Sequence, residues 1–135
     1  MQILPDVFDN DLFPGYDKIN LSWQELSGVL NKDTWQTALQ NQKGVYLVSD
    51  TFSGKIYVGS AYGDEMILNR WKCYVQTGHG NNKQLRRLPL DYIKANFKFS
   101  ILEIFKSTTD SNVIIERENY WKEILMTRKF GYNSN

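Results

Sequence analysis

The strongest fold signal in this sequence is a pair of short segments rich in β-branched and aromatic residues, GVYLVSD at 44–50 and KIYVGS at 55–60. Such segments favour extended backbone, and the turn-like residues 51–54 separate them, so they predict a β-hairpin. If the loop holds an even number of residues, Tyr46 and Tyr57 lie on the same face, because side chains alternate along each strand. The hairpin therefore predicts two phenol groups on one face of a sheet.

The segments around the hairpin predict helices and one further strand. The first twenty residues are typical of an irregular arm, and Ser22 is a suitable N-cap for a short helix that begins at Trp23. A second helix, with Asp33 or Thr34 as its N-cap, is predicted to run to about Gln40. Beyond the hairpin the pattern predicts a helix over 64–76, a short basic helix over 83–90, a strand over 97–105 and a last helix over 112–128.

These elements predict an α/β (α+β) fold class. The expected architecture is a small three-stranded antiparallel-type sheet flanked by helices. Residues 1–42 are expected to form an N-terminal arm and helical extension packed on the main domain, which spans residues 43–135.

Length and composition limit the function classes. A chain of 135 residues with 41% hydrophobic and 23% charged residues is sized for one domain, so a disordered tail and a disulfide scaffold are excluded. Cys73 is the single cysteine and His79 the single histidine, which is too few for a conventional zinc site. The acidic N-terminus is not typical of a signal peptide, and no apolar run is long enough to span a bilayer. These features predict a cytoplasmic protein without membrane contact.

Charge is distributed unevenly along the chain although its total is small. The formal net charge is +1. By segment, the charged residues give −4 over 1–34, −1 over 35–69, +6 over 70–98 and 0 over 99–135. The basic segment is either a solvated surface or an anion-binding face, and the charge pattern alone leaves both open.

Two charged side chains stand out by where helical periodicity places them. On the helix predicted over 64–76, Arg70 lies at the edge of the apolar face, one turn from Tyr74. On the last predicted helix, Glu118 lies within an apolar stripe, where an isolated carboxylate is costly and must be paired, protonated or bound to a cation. Two interpretations stay open for it: an ion pair with Arg70 or another basic group, and a metal ligand or acid–base group.

An ordered series of motifs resembles the GIY-YIG nuclease family. The motifs are GVY at 44–46, YVG at 57–59 continued by GSA at 59–61, RW at 70–71, SILE at 100–103, IERENYW at 115–121 and GYN at 131–133. Their order and spacing match the family throughout, and the last two motifs are similar to those of phage homing endonucleases. The sequence departs from the family by valine in place of isoleucine in both name-giving motifs, and by Tyr74 where many members have histidine.

The resemblance implies a set of site residues. Glu118, and not Glu116, matches the metal-binding glutamate, and Arg70 matches the arginine expected to hold the scissile phosphate. Tyr46 would orient or deprotonate the attacking water, with Tyr57 in support. The implied catalytic residues are Tyr46, Tyr57, Arg70, Glu118 and Asn133, and Lys55, Tyr74 and His79 are possible supporting residues.

The resemblance also implies an activity, a cofactor and a partner. The activity is endonucleolytic hydrolysis of DNA through a single-metal, tyrosine-assisted water attack, with one divalent cation, Mg²⁺ or Mn²⁺, on Glu118. The partner is double-stranded or branched DNA, and the protein would be bacterial or phage-encoded. The alternative is a non-catalytic nucleic-acid-binding or regulatory module on the same fold. Side chains from the basic segment would contact backbone phosphates, namely Lys72, Lys83, Arg86, Arg87 and Lys94.

Overall fold

The computed structural model describes residues 12–134, so the predicted irregular arm lies partly outside the described residues. The strands are β1 (Asn20–Ser22), β2 (Gln42–Asp50), β3 (Ile56–Ala61) and β4 (Phe97–Lys106). The helices are α1 (Trp23–Val29), α2 (Asp33–Leu39), α3 (Ile67–Thr77), α4 (Leu90–Asn96), α5 (Ser111–Ile124) and α6 (Thr127–Phe130), and single 3-10 turns lie at Tyr16–Lys18 and Leu85–Arg87. Among the helices described, none is both long and apolar enough to cross a membrane.

The sheet is antiparallel, in the order β1-β4-β2-β3. The expectation of an antiparallel sheet flanked by helices is confirmed, but the described residues form four strands rather than three. The additional strand is β1, in which Asn20–Ser22 pairs with residues 98–100 of β4. Three residues are too few to show the alternation that identifies a strand in a sequence.

The register of the hairpin confirms the prediction for its two tyrosines. Val48 pairs with Tyr57, and Tyr46 pairs with Gly59. Directly opposed residues share a face, and residues two apart on one strand also share it, so Tyr46 and Tyr57 lie on the same face.

Two apolar clusters show which helices cover each face of the sheet. On the face of Tyr46 the main core contains Leu26 of α1, Trp35 of α2, Trp71 of α3 and Ile93 of α4. The opposite face carries a smaller cluster in which Val45 and Val58 pack against Ile114 of α5. Four helices therefore lie on one face and α5 on the other, while β3 forms an edge of the sheet.

The N-terminal helices are tied to the rest of the chain by caps and by one long-range bond. Ser22 is the N-cap of α1, as the sequence predicts, and together with Glu25 it forms a capping box. The indole Nε1 of Trp23 donates to the carbonyl oxygen of Tyr74 at 3.2 Å, which links α1 to α3. The second helix begins at Asp33 with Lys32 as its N-cap, so the predicted cap residues lie inside the helix.

Proline and one left-handed residue account for the main departures from the predicted helices. The basic helix expected over 83–90 is reduced to one 3-10 turn, because Leu88 adopts extended backbone before Pro89. Pro89 then acts as the N-cap of α4, a helix that the sequence analysis did not predict. The last helix, expected to run to residue 128, breaks at Met126, whose φ of 53° separates α5 from α6.

A buried carboxylate holds the hairpin turn and the C-terminal segment together. Asp50 is 1% exposed, and its Oδ2 accepts from the hydroxyls of Ser53, Tyr92 and Tyr132 at 2.8, 2.6 and 2.5 Å. Its Oδ1 accepts from the backbone amides of Phe52 and Ser53. Burial raises the pKa of Asp50, and these hydrogen bonds more than offset it, so the net pKa is lowered.

Substitution Asp50→Asn is expected to lower the free energy of unfolding at pH 7 by about 2–3 kcal/mol, because bonds to an ionised acceptor are replaced by weaker ones. A carboxyl with a lowered folded-state pKa stabilises the fold above its unfolded pKa and loses that contribution as pH falls through the folded value. Urea denaturation between pH 7 and pH 2.5 measures both effects. If the difference in the free energy of unfolding between the two proteins stays constant down to pH 2.5, the role of the ionised carboxylate is contradicted.

Candidate active site

An open cavity of about 630 Å³ lies at the edge of the sheet beside β3. Its walls come from the hairpin, from the start of α3 on one face and from α5 on the other. It brings together Tyr57, Arg70 and Glu118, three of the five residues that the resemblance identifies as catalytic. The lining residues are Tyr57, Ser60, Tyr62, Glu65, Arg70, Ile115, Glu118, Asn119 and Lys122.

Glu118 reaches this cavity from the sheet-facing side of α5, where its neighbour one turn back, Ile114, is fully buried. Its Oε1 accepts from the hydroxyl of Ser60 on β3 at 2.6 Å, and its Oε2 lies 3.1 Å from Nζ of Lys122. The Glu118 side chain is 15% exposed and that of Lys122 only 6%. The open ion-pair alternative is thus realised, with Lys122 rather than Arg70 as the partner, and one turn along the same helix.

Arg70 is held by contacts that leave it facing the cavity. Its Nη2 donates to the Tyr46 hydroxyl and to the carbonyl oxygen of Gly80, both at 3.3 Å. Its Nε lies 3.6 Å from Oε2 of Glu65, and its guanidinium lies over the ring of Tyr74. Burial lowers the pKa of Arg70, but its interactions with Tyr46, Tyr74 and Glu65, which include the hydrogen bond to Tyr46, outweigh burial, so the net pKa is raised and Arg70 stays charged.

Tyr46 lies behind the cavity rather than in it. Its ring crosses β3 over Gly59, where a Cβ would come within 2.5 Å of Cζ, so only glycine gives the ring this path to the sheet edge. Tyr46 is fully buried, and its hydroxyl is 3.0 Å from that of Tyr74. Burial raises its pKa more than Arg70 and Tyr74 lower it, so Tyr46 is a neutral phenol in this structure.

Asn82, in the loop after α3, joins three tyrosines into one hydrogen-bonded chain. The hydroxyl of Tyr57 donates to Oδ1 of Asn82 at 2.6 Å, and Nδ2 of Asn82 donates to the hydroxyl of Tyr74 at 2.6 Å. The hydroxyl of Tyr74 in turn contacts the hydroxyl of Tyr46, and that hydroxyl accepts a hydrogen bond from Arg70. Burial is the largest cause of the raised pKa of both Tyr57 and Tyr74.

Three of the other predicted site residues lie away from the cavity. The Nζ of Lys55 lies over the ring of Tyr132, and Nδ1 of His79 accepts from the backbone amide of Asn81. Asn133 is 4% exposed, and its amide makes two 2.9 Å bonds to the backbone N–H and C=O of Val58 on β3. Asn133 therefore acts as a backbone partner for the edge strand, and its catalytic role stays a prediction that this position does not favour.

Most of the predicted DNA-contacting residues are exposed. Lys72, Lys83, Arg86 and Arg87 are exposed on α3 and in the segment that follows it. Lys94 differs, because its Nζ lies 4.8 Å from the ring centre of Trp23 and the residue is half-buried.

The sequence analysis assigned no site role to several residues in or beside the cavity. Ser60 follows the YVG motif, and Lys122 is four residues beyond Glu118, a spacing that places both on one helix face. This spacing is the one signal that could have found Lys122. Glu65 and Asn82 lie in irregular segments on either side of α3, where no periodicity predicts which way a side chain points.

The donor set suits a hard cation that keeps most of its water. Within residues 12–134 no group of three or more His, Cys, Asp or Glu side chains converges, so a site built wholly from protein ligands is absent there. Glu118, fixed by Ser60 and open to the cavity, offers one carboxylate, which is the way Mg²⁺ is commonly held. The Lys122 ammonium occupies one side of this carboxylate, so a cation would share Oε1 or displace Nζ from Oε2.

The sequence and the fold are similar to those of known proteins. Intron-associated endonuclease 1 of Enterobacteria phage T4 is 33% identical over 94 residues, which are 68% of this chain and 36% of that protein, so the chain spans about a third of this curated relative. A mutant catalytic domain of the intron endonuclease I-TevI matches with a TM-score of 0.54 and 31% identity, over 70% of this chain and 94% of that one. The catalytic domain of the homing endonuclease I-TevI matches with a TM-score of 0.52 and 32% identity, over 67% and 96%. Residues 42–133 match the GIY-YIG catalytic domain, and the chain belongs to that family.

Proposed function

We propose that this chain is a metal-dependent DNA endonuclease that hydrolyses a phosphodiester bond by attack of water. The observation that carries the proposal is the meeting of Arg70 and Glu118, from opposite faces of the sheet, with Tyr57 at one open cavity. Phosphodiester hydrolysis needs a cation site, positive charge on the phosphate and an oriented water, and these three residues offer one group for each need. The matched relatives that are named endonucleases support the same reaction class.

Glu118 would hold the divalent cation, Mg²⁺ or Mn²⁺. A cation bound there would supply a more acidic water and neutralise charge on the phosphate. Ser60 contributes by fixing Oε1 of Glu118 through its hydroxyl, which limits the carboxylate to one orientation. Lys122 pairs with the carboxylate and places a second positive charge at the cavity wall, where it would face the phosphate.

Arg70 would bind the scissile phosphate. Its Nη2 is already used by Tyr46 and Gly80, so the plane of the guanidinium is fixed before a substrate arrives. The contact of its Nε with the half-exposed Glu65 is the weaker one, at 3.6 Å. A phosphate that displaces the Glu65 carboxylate would replace one negative charge beside Arg70 with another, and it would accept a hydrogen bond from a guanidinium that is already oriented.

The two motif tyrosines would have different tasks. Tyr57 lines the cavity, so its hydroxyl is placed to contact the attacking water, whereas Tyr46 is buried and acts through Arg70. Because the pKa of both phenols is raised, they favour orienting over deprotonation, and the water proton would leave through the open cavity to solvent.

The exposed basic residues would provide affinity for the DNA backbone. Four of these residues are exposed and can contact backbone phosphates, namely Lys72, Lys83, Arg86 and Arg87. Such contacts give salt-dependent binding that does not depend on the DNA sequence. Lys94, held over Trp23, would contribute less. The phage relative fits a cytoplasmic place of action on bacterial or phage DNA.

A cleavage assay tests the proposed function. The protein is incubated with supercoiled, linear and branched DNA in Mg²⁺, Mn²⁺ or EDTA, and the products are separated on gels. We expect nicked or cut DNA with either metal and none with EDTA. DNA binding without cleavage of any substrate in either metal would instead establish the non-catalytic nucleic-acid-binding module.

Substitution Glu65→Gln is expected to tighten DNA binding without metal by up to about fivefold at low salt, because the competing carboxylate on Arg70 is removed. The matched control is Asp64→Asn, which removes the same charge from the neighbouring exposed residue. Fluorescence anisotropy with a labelled duplex measures both affinities. An equal gain in the two variants would assign the effect to net charge rather than to Arg70.

A further inference from the structure

The amide of Asn82 has a fixed orientation in its loop. Its Nδ2 is 3.1 Å from the carbonyl oxygen of His79, which also accepts from the Asn82 backbone amide at 3.0 Å. A carbonyl oxygen only accepts hydrogen bonds, so an exchanged amide would place two acceptors against each other. The side-chain nitrogen therefore faces His79 and Tyr74, and the side-chain oxygen faces Tyr57.

This orientation determines where the phenol protons point. Oδ1 of Asn82 can only accept, so the proton of Tyr57 is directed to it over 2.6 Å and the remaining lone pairs of that hydroxyl are free for the cavity. Nδ2 can only donate, so the Tyr74 oxygen accepts from it and the Tyr74 proton is available for Tyr46 at 3.0 Å. Arg70 also only donates, so when Tyr74 donates to Tyr46 the Tyr46 oxygen accepts two hydrogen bonds.

We propose that Asn82 is a positioning residue of the nuclease site, whose amide sets the direction of the hydrogen bonds from Tyr57 through Tyr74 to Tyr46. With its own proton directed to Asn82, the Tyr57 hydroxyl can only accept a hydrogen bond from a water in the cavity. That water then points a hydrogen at Tyr57 and its oxygen away from Tyr57. Tyr46 becomes the double acceptor that fixes Arg70. The inference rests on the proposed endonuclease function.

The flanking glycine supports this arrangement. Gly80 has a φ of +57°, and a Cβ on it would lie 2.7 Å from the ring of Tyr74. The same residue accepts from Arg70 through its carbonyl oxygen. The loop that carries Asn82 thus contacts Tyr74 and Arg70 directly, and a change at Asn82 reaches both through short bonds.

Two variants separate proton direction from simple packing. Asn82→Asp keeps the shape but offers an acceptor to Tyr74, which turns the Tyr74 proton away from Tyr46. Asn82→Ala removes both bonds and the side-chain volume. If Asn82 has only a structural role, kcat falls in parallel with Tm, and the alanine variant has the lower values of both. The proposal instead predicts that the aspartate variant has the lower kcat, reduced by about a hundredfold relative to the unsubstituted chain.

Single-turnover cleavage, DNA affinity without metal and Tm are measured for each variant. Asn81→Asp is the charge-matched reference, because Asn81 is exposed and adjacent. We expect the two aspartate variants to bind DNA within about threefold of each other while only Asn82→Asp loses turnover. The inference is overturned if the loss of turnover in Asn82→Asp is proportional to its loss of Tm, or if its turnover equals that of Asn81→Asp. If the unsubstituted chain does not cleave DNA, the proposed function is overturned instead.

Discussion

Glutamine in place of Glu118 is expected to lower the rate of DNA cleavage by at least about a thousandfold in Mg²⁺ or Mn²⁺. A neutral amide is a poor ligand for a hard cation, and the loss of several kcal/mol of charge stabilisation corresponds to a factor of this size. The amide still fits the space, and its oxygen can accept from Lys122 while its NH2 donates to the Ser60 hydroxyl, so the fold is expected to persist. Single-turnover cleavage and circular dichroism measure the two effects.

The matched control for this substitution lies on the same helix. Glu116 is exposed on the other side of α5, so Glu116→Gln removes the same charge without touching the cavity. We expect cleavage by Glu116→Gln within about twofold of the unsubstituted chain. Equal losses in both variants, or full activity of Glu118→Gln, would contradict the assignment of Glu118 as the cation ligand.

Lysine in place of Arg70 is expected to reduce kcat by about two orders of magnitude although the positive charge is kept. Arg70 uses several donors of one planar group, to Tyr46, to Gly80 and toward the cavity, and an ammonium has no such fork. One lost preorganised donor to a developing charge costs a factor of about a hundred to a thousand. Rapid-quench cleavage with saturating protein isolates this step.

Methionine at the same position separates charge from geometry. Arg70→Met fills similar space without charge, so we expect it to lose DNA affinity as well as turnover, whereas Arg70→Lys loses mainly turnover. The binding of Mn²⁺, followed by the electron paramagnetic resonance signal of the free ion, is expected to change little in either variant. A lysine variant with the kcat of the unsubstituted chain would remove Arg70 from the phosphate site.

Most of the features that could be predicted from the sequence lie in its regular helices and strands. The hairpin, the shared face of Tyr46 and Tyr57, the N-cap at Ser22 and the inward direction of Glu118 all follow from local patterns, within one element or between two consecutive strands. Local rules suffice there because the repeat of a helix or strand determines which face a side chain takes.

Irregular segments account for part of what was missed. Asn82 and Glu65 reach the site from loops, where the direction of a side chain depends on contacts far along the chain. Asn133 shows the converse case, because a motif match gives the identity of the residue but not what its amide bonds to. β1 was missed since its extended backbone is stabilised by β4 and not by its own sequence.

The cover that the C-terminal segment provides for β3 has a consequence for self-association. An exposed edge strand offers unpaired backbone groups to the edge of another molecule, which is a common route to aggregation. Asn133 and the amide of Tyr132 occupy these groups at Val58 and Ile56. Variants that release this segment should therefore form intermolecular β-sheet and precipitate on concentration, even where the cavity at the other end of β3 is unchanged.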